Sequence, residues 1–260
     1  MDVKFLNSEL VRAELLTKII YFEKLNSTTY YAKKNKTEAD TLILTSNQTK
    51  GIGRFNRIWH SIPQKNLTFS LTKSLVLPID KIHLINFYTS YILFETLKNF
   101  LSKFSNLDFS LKWPNDILLN GKKISGLLLE INNLKYDLKN FIIGIGINVN
   151  QENFSNELIL KATSLKKEIG IEVNSEMLLI NFVKNFYSQL SLIKKEEVLM
   201  KKWISNTNII GKKINFKVMD DDIALSAMVT DIDFDGGLKL KLDDGGIKKF
   251  YSGEISLGYI

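Results

Sequence analysis

The sequence predicts an α+β protein in which a mixed β-sheet flanked by helices is followed by a small C-terminal β-barrel. Up to about residue 204, short strand-like segments alternate with longer segments of helical spacing. From about residue 209, four or five short alternating segments are separated by Asp- and Gly-rich turns, which is typical of a small barrel. A chain of 260 residues, 45% of them hydrophobic, can bury one large core beside such a domain. We therefore expect one domain over residues 1–207 and a second over residues 208–260.

The first part of the chain is expected to contain two short helices and three strands. Ser8 can act as the N-cap of a helix over residues 8–20, in which leucine and isoleucine recur at helical spacing. The turn at residues 26–29 can cap a second helix. The strands are predicted at residues 19–25, 41–45 and 66–72.

Two longer helical segments and four more strands are predicted for the rest of the first domain. Apolar residues follow helical spacing over residues 80–101 and again over residues 175–204, where Trp203 is expected in the core. Asn120-Gly121 is typical of a tight hairpin turn. The strands are expected at residues 108–113, 116–119, 123–131 and 141–149. Turns of the second domain are expected at residues 220–222, 235–237 and 243–246.

Composition excludes several classes of site. The chain has no cysteine and only two histidines, His60 and His83, which excludes disulfides, thiolate metal sites, cysteine nucleophiles and histidine-rich metal centres. It shows neither a basic-then-apolar N-terminal signal nor an uninterrupted apolar run of about eighteen residues, so we expect a cytoplasmic protein without membrane contact. The net charge of +7 is spread along the chain and does not favour nucleic acid as a partner.

Two of the chain's three arginines, Arg54 and Arg57, lie in one short loop at residues 51–59. Because lysine supplies nearly all other positive charge, arginine is expected where its planar fork contacts phosphate or carboxylate. Gly51 and Gly53 allow backbone N–H groups to approach an anion, and Trp59 offers a flat stacking surface. Taken alone, the loop is equally compatible with a surface turn that carries incidental charges.

Two further segments carry candidate site residues. Residues 112–116 read Lys-Trp-Pro-Asn-Asp, and the proline fixes a bend that would aim Lys112 at a defined point. Residues 144–149 read Gly-Ile-Gly-Ile-Asn-Val. Each segment also has a structural explanation, as a solvated lysine, a core tryptophan or glycines packed between strands.

In this order and spacing the segments resemble the biotin protein ligase family. The loop at residues 51–59 is close to the family's Gly-Arg-Gly-Arg-x-Gly-Arg-x-Trp, and residues 112–116 and 146–149 match Lys-Trp-Pro-Asn-Asp and Gly-Ile-Asn-Val. Ser27-Thr28, residues 162–165 and the C-terminal residues 253–257, Gly-Glu-Ile-Ser-Leu, are also similar to family segments. The resemblance runs from about residue 20 to the C-terminus. It implies the biotin/lipoate ligase catalytic fold with an SH3-like C-terminal barrel.

The resemblance also implies residue roles. Biotin would be held by short polar groups, backbone and an apolar wall, with Lys112 at its carboxylate; these residues are Ser27, Thr28, Thr29, Gln48, Ile52, Gly53, Arg54, Lys112 and Gly126. ATP and the adenylate would contact Arg54, Arg57, Trp59, Lys112 and Asn148. Lys112 and Arg54 would act as the catalytic cations, offsetting charge as the biotin carboxylate attacks the α-phosphate. Mg²⁺ is expected with ATP, with Asn115 and Asp116 as neighbours and no assigned protein ligand.

The implied reaction forms biotinyl-5′-adenylate and pyrophosphate, and then transfers biotin to a lysine of a biotin carboxyl carrier protein of acetyl-CoA or pyruvate carboxylase. It needs no enzyme nucleophile, in agreement with a chain that lacks cysteine. Only about twenty residues precede the first strand, so no DNA-binding domain and no DNA partner are expected. A monomer and a weak homodimer are both compatible with the sequence.

Four positions depart from the family pattern. Ile52 stands where arginine is usual, Asn56 replaces a glycine, Thr29 replaces an asparagine, and Gly258 follows the C-terminal motif in place of arginine. Asparagine tolerates the left-handed backbone region, so Asn56 is a mild change. Lys248 or Lys249 could replace the missing C-terminal arginine.

Two alternatives remain open at this point. A lipoate-protein ligase or octanoyl transferase would share the catalytic fold, although the Gly/Arg loop, Lys-Trp-Pro-Asn-Asp and the small second domain favour biotin. A non-catalytic module that binds a carrier, a nucleotide or a nucleic acid would require a vestigial phosphate loop. Transfer of labelled biotin or lipoate distinguishes these possibilities.

Overall fold

A computed structural model describes residues 1–135, 138–217, 224–251 and 254–256. Six α-helices occur in these residues: α1 Val3–Leu6, α2 Thr28–Lys34, α3 His83–Phe100, α4 Leu165–Ile169, α5 Ser175–Ser188 and α6 Glu196–Ile204. The first nine strands are β1 Lys18–Phe22, β2 Thr41–Thr45, β3 Gly51–Ile52, β4 Ile58–Trp59, β5 Asn66–Val76, β6 Phe109–Lys112, β7 Asp116–Leu119, β8 Lys122–Lys135 and β9 Leu138–Asn148. The last five are β10 Lys213–Lys217, β11 Ala224–Ile232, β12 Leu238–Leu242, β13 Ile247–Phe250 and β14 Glu254–Ser256.

The large sheet is mixed, as the sequence predicts. Its seven strands run in the order β1-β2-β5-β9-β8-β7-β6. Only β1 and β2 pair in parallel, because α2 returns the chain between them; all other neighbours are antiparallel. The strands β3 and β4 form a separate two-stranded flap. The sheet and its flanking helices confirm the predicted fold class.

Helices cover both faces of the large sheet. On one face α3 is enclosed between the sheet and the helices α5 and α6, with the rings of Tyr88 and Phe186 at 5.2 Å and those of Phe87 and Trp203 at 5.0 Å. The apolar spacing of residues 80–101 indicates a single buried face, yet α3 is buried on nearly every side. The reason is that the sheet covers one side of the helix and α5 and α6 cover the other. On the other face, α2 places Ala32 over the sheet.

Alternate residues of β9 face the two sides of the large sheet. Successive side chains of a strand point to opposite faces. Ile143, Ile145 and Ile147 therefore enter the main core, where full burial of each contributes about 1.5–3 kcal/mol. Gly144, Gly146 and Asn148 belong to the other face, the face of α2, and form part of a cavity floor.

The C-terminal strands form a five-stranded antiparallel sheet in the order β13-β12-β11-β10-β14. The small β-domain is confirmed, but among the described residues its edge strands do not pair to close a barrel. The turns at residues 235–237 and 243–246 are present. The turn predicted at residues 220–222, together with Gly258, lies outside the described residues. The domain boundary between residues 207 and 208 stays a prediction.

Two helix predictions need correction. The first helix begins at Val3, with the Asp2 side chain accepting from the Phe5 N–H at 3.0 Å, and not at Ser8. Residues 7–11 continue it as a π-helical turn, and Ile19 and Ile20 belong to β1. The apolar spacing extends from the helix into the strand, which hides the boundary. The segment at residues 175–204 is not one helix, because a 3₁₀ turn at 190–194 separates α5 from α6.

Candidate active site

All of the predicted site residues line one cavity of about 510 Å³ on the α2 side of the large sheet. This volume is typical of a site for a small organic ligand. The flap, the β6–β7 turn, the N-terminus of α2 and the strands β8 and β9 contribute to its walls. The predicted residues in the lining are Ser27, Thr28, Thr29, Gln48, Ile52, Gly53, Arg54, Arg57, Trp59, Lys112, Asn115, Asp116, Gly126 and Asn148.

At one end of the cavity, short polar side chains form a connected and buried group. Ser27, in the turn predicted to cap α2, is the N-cap and accepts from the Tyr30 N–H at 3.3 Å. Gln48 Oε1 accepts from the Thr28 N–H at 2.9 Å and from its hydroxyl at 3.3 Å. Ser70, on β5, lies between the two threonines of α2: its Oγ is 2.8 Å from Thr28 Oγ1 and 3.0 Å from Thr29 Oγ1. These contacts hold several donors and acceptors in fixed directions.

The flap requires glycine and a left-handed turn. A Cβ on Gly51 would lie 2.7 Å from both Gln48 Nε2 and the Trp59 carbonyl oxygen, which a real side chain does not tolerate. Phe55 and Asn56, in the turn between β3 and β4, both have φ of 57°. Asparagine at position 56 is thus compatible with the backbone that the family's glycine would adopt.

Arg54 reaches from the flap to the Lys112 turn. Its Nη1 donates to Asn115 Oδ1 at 3.3 Å, and its guanidinium carbon lies 4.8 Å above the ring of Phe55. Burial lowers the pKa of Arg54, and the carboxylate of Asp116 opposes that shift. An arginine remains charged at neutral pH despite such a shift, so the cavity contains a partly desolvated cation.

The turn between β6 and β7 holds Lys112 at the cavity. Lys112 on β6 lies opposite Asp116 on β7 in the backbone register of the hairpin, and the Trp113–Pro114 peptide bond between them is cis. The Asn115 side chain donates to the Leu127 carbonyl, while the Asn115 carbonyl accepts from the Leu127 N–H at 3.2 Å. Both the side chain and the backbone of Asn115 therefore attach the turn to β8.

Asp116 has a cationic partner. Its Oδ1 lies 2.7 Å from Lys123 Nζ, and this ammonium also lies 5.7 Å from the centre of the Trp59 ring. No group of three histidine, aspartate or glutamate side chains that could hold a metal ion is found in the described residues. Mg²⁺ at this cavity stays a prediction, with Asp116 as the expected neighbouring carboxylate.

Trp59 packs on the cavity floor at Gly146. A Cβ added to Gly146 would lie 2.5 Å from Trp59 Cζ2 and 2.7 Å from its Nε1, so only glycine allows this contact. At Gly144 a Cβ would meet the hydroxyl of Thr29. The Trp59 Nε1 group is buried without a hydrogen-bond partner in the described part of the chain. The ring and the two glycines therefore shape the floor; stacking of Trp59 on adenine stays a prediction.

Several lining residues were not predicted from the sequence. Gly144 and Gly146 lie in a segment with candidate site residues, but no site role is predicted for either glycine; their alternation with buried isoleucines is a usable signal. Residues 151–162 have no regular apolar period, yet they close one side of the cavity with Gln151, Phe154, Glu157, Leu158, Lys161 and Ala162. Lys249, one of the two lysines that could replace the missing C-terminal arginine, forms ion pairs with two carboxylates. Its Nζ lies 2.7 Å from Asp233 Oδ2 and 2.5 Å from Asp235 Oδ2.

Comparison with known proteins identifies the family. Residues 20–148 match the Biotin/lipoate A/B protein ligase family, and residues 209–258 match the Biotin protein ligase C terminal domain. The Bifunctional ligase/repressor BirA of Bacillus subtilis is 31% identical over 249 residues, which cover 92% of this chain and 74% of that protein. The chain belongs to the biotin protein ligase family.

Solved structures of biotin protein ligases agree with this assignment. The biotin protein ligase from Aquifex aeolicus in complex with biotin and ATP has a TM-score of 0.76 and 27% sequence identity, covering 93% of this chain and 98% of that one.

A second sequence relative is more distant. The Bifunctional ligase/repressor BirA of Escherichia coli is 28% identical over 81% of this chain and 64% of its own length. None of the described helices has the length and apolar character that crossing a membrane requires.

Proposed function

We propose that this protein is an ATP-dependent biotin–protein ligase. It joins biotin and ATP into biotinyl-5′-adenylate and pyrophosphate, and then transfers the biotinyl group to a lysine of an acceptor protein. The observation that carries the proposal is the convergence of five separate sequence segments, between Ser27 and Asn148, on one cavity of about 510 Å³. A match of residues 209–258 to the C-terminal domain of biotin protein ligases favours biotin over lipoate.

The polar end of the cavity would bind the ureido ring of biotin. That ring has two N–H donors and one carbonyl acceptor, and the hydroxyls of Ser27, Thr28 and Thr29 together with the amide of Gln48 offer both kinds of partner. The backbone of Ile52 and Gly53 would complete the contact, so the loss of an arginine side chain at position 52 removes little. Gly126 and its neighbours on β8 would cover the apolar part of the ligand.

The cationic part of the cavity would bind the reacting groups. Arg54, Arg57 and Lys112 bring three positive charges to a place where the biotin carboxylate must approach the α-phosphate of ATP. These charges stabilise the negative charge that accumulates on the phosphoryl oxygens in the transition state. Mg²⁺ would supply further neutralisation of the phosphates. Asn148 would contact the adenine edge, and Trp59 would close over the base.

The second step needs an acceptor amine and no enzyme nucleophile. The ε-amine of the acceptor lysine attacks the carbonyl carbon of the mixed anhydride, the C–O bond to phosphate breaks, and AMP leaves with the electron pair while the amine loses a proton. The enzyme contributes mainly by holding the two reactants together and by excluding water from the adenylate. The acceptor would be a biotin carboxyl carrier domain of acetyl-CoA or pyruvate carboxylase.

The proposal is tested by incubating the purified protein with Mg·ATP, a biotin carboxyl carrier domain and either labelled biotin or labelled lipoate. Label from biotin should appear on the carrier, and label from lipoate should not. Transfer of lipoate alone would establish the lipoate ligase alternative, and transfer of neither would favour a non-catalytic module.

Residue roles are tested with Lys112→Ala and Arg54→Gly. Both variants should slow adenylate formation or release the adenylate before transfer. Lys201→Ala is a suitable control, because Lys201 is exposed and does not line the cavity; its Nζ lies 3.6 Å from Glu197 within α6 and 5.7 Å from the centre of the Phe234 ring. Normal formation and retention of biotinyl-adenylate in the two site variants would refute these roles.

A further inference from the structure

The side chain of Asn66 connects three parts of the cavity wall from behind. Asn66 is the first residue of β5 and is only 8% exposed. Its Oδ1 accepts from the Ile62 N–H at 3.1 Å, and its Nδ2 donates to Asn148 Oδ1 at 2.8 Å and to Gln151 Oε1 at 2.9 Å. The carbonyl oxygen and both amide hydrogens of the Asn66 side chain therefore have hydrogen-bond partners within the protein.

The partners of Asn66 belong to the proposed active site, whereas Asn66 itself is not among the residues that line the cavity. Asn148 and Gln151 both line it. Ile62 lies three residues after Trp59, where the chain leaves the flap. Asn66 and Asn148 are also direct neighbours across β5 and β9. A single amide therefore holds the base of the flap and two cavity-facing amides together.

The backbone decides the orientation of all three amides. The Ile62 N–H can only donate, so it fixes the oxygen of Asn66 on its side and the nitrogen on the other. Because that nitrogen can only donate, Asn148 and Gln151 must both present their oxygens to it. Their own nitrogens then donate to carbonyls, Asn148 Nδ2 to Thr163 at 3.0 Å and Gln151 Nε2 to Asn153 at 2.8 Å. The network has one consistent arrangement.

We propose that Asn66 is a positioning residue for nucleotide recognition in the ligase reaction. It sets the amide orientation of Asn148 and Gln151, and it fixes both to the exit of the flap that carries Arg54 and Trp59. An Asn148 held in this way offers a second Nδ2 hydrogen, which suits an acceptor nitrogen of adenine. This inference rests on the proposed function, because it assigns the Asn148 side of the cavity to ATP.

The test is Asn66→Asp, which keeps the shape of the side chain and replaces the donor by an acceptor. The carboxylate cannot donate to the oxygens of Asn148 and Gln151, and each buried acceptor loses its partner. The KM for ATP in biotinyl-adenylate formation should rise by about 10- to 100-fold. Biotin affinity, measured by calorimetry without nucleotide, should change less than about 3-fold, because the polar end of the cavity has no bond to Asn66.

Asn185→Asp serves as the matched control. Asn185 is a half-buried amide on α5 that donates to Thr96 Oγ1 at 3.0 Å, outside the cavity. Its substitution should leave both ligand affinities unchanged. If Asn66→Asp does not fold, as judged by the absence of a cooperative thermal unfolding transition, Asn66→Ser is used, because its hydroxyl can still donate one bond. An intermediate rise in the KM for ATP is then expected.

An equal loss of ATP and biotin affinity would show a general structural role and overturn the inference, as would an unchanged KM for ATP in the variant that folds. Failure of the proposed function gives a different result. In that case the unsubstituted protein forms no biotinyl-adenylate, whereas an active unsubstituted protein with an unaffected Asn66 variant contradicts only the role of Asn66.

Discussion

Trp113 joins the turn that carries Lys112 to the C-terminal sheet, and its substitution by phenylalanine tests whether that sheet supports catalysis. The Trp113 side chain is 2% exposed. Its Nε1 donates to the Gly236 carbonyl at 2.9 Å, and its ring centre lies 6.5 Å from that of Phe216 on β10. Trp113→Phe removes the donor and part of the ring but keeps an aromatic side chain.

The expected loss of stability follows from these contacts. Leaving the buried Gly236 carbonyl without its donor costs about 1–3 kcal/mol. The smaller ring removes roughly two buried carbon groups at about 0.8 kcal/mol each, before any relaxation of the cavity. Together the two effects lower the free energy of unfolding by about 3 kcal/mol. For a chain of this size, that corresponds to a decrease in Tm of roughly 6–12 °C.

The assay compares Trp113→Phe with Trp203→Phe. Trp203 is also fully buried, and its Nε1 donates to Ser90 Oγ at the same distance of 2.9 Å, but it lies between α6 and α3. Both variants should lose similar stability in thermal unfolding. Well below both transitions, only Trp113→Phe should slow adenylate formation, by about 3- to 30-fold, because only Trp113 is adjacent to Lys112.

Two results would refute this reasoning. Equal rates of adenylate formation in both variants would show that the C-terminal sheet does not position the Lys112 turn. An unchanged Tm in Trp113→Phe would show that the bond to Gly236 contributes no stability.

Three further predictions concern the cavity and the pH dependence of stability. Gly146→Ala should displace the Trp59 ring, because the added Cβ would overlap it, and we expect weaker ATP binding together with altered tryptophan fluorescence. Arg57→Lys keeps the charge but loses the planar fork, so the KM for ATP should rise by about 3- to 30-fold; an unchanged KM would mean that charge alone matters. Burial lowers the pKa of His83, partly opposed by the Asp80 backbone carbonyl, so the unfolded chain takes up the proton first as the pH falls. The free energy of unfolding should therefore decrease below about pH 6.5, and urea titrations of His83→Gln at pH 7.5 and 5.5 should show a smaller decrease.

Local features were predictable where the physical cause lies within a few residues. The strand Thr41–Thr45 has the predicted bounds, and Ser27 caps α2 from within the turn predicted at residues 26–29. Both predictions rest on short-range signals, a short apolar run and an N-capping turn. The helix predicted over residues 8–20 begins too late, since Asp2 and not Ser8 is the N-cap. It also ends too late, because apolar spacing cannot distinguish the end of a helix from the start of an adjacent strand.

The residues of the candidate site were recognisable from motif order and spacing, but their mutual arrangement was not. The ion pair of Asp116 with Lys123 lies within one hairpin, yet the sequence indicates Asp116 only as a neighbour of magnesium. The wall at residues 151–162 has no periodicity to indicate it. Its position depends on the buried amides of Gln151 and Asn66, which are 85 residues apart in the chain.

Motif order, spacing and periodicity were enough to predict the fold class and the family, and they indicate which residues have suitable chemistry for an adenylate. The contact of Gly146 with Trp59, the hydrogen bond from Trp113 to Gly236 and the hydrogen bond from Asn66 to Asn148 follow only from the packing of the folded chain. The physical reason is that periodicity defines which residues share a face, whereas packing of distant segments decides what covers that face. Trp113 and Gly236 are 123 residues apart, and nothing local to either residue specifies the other.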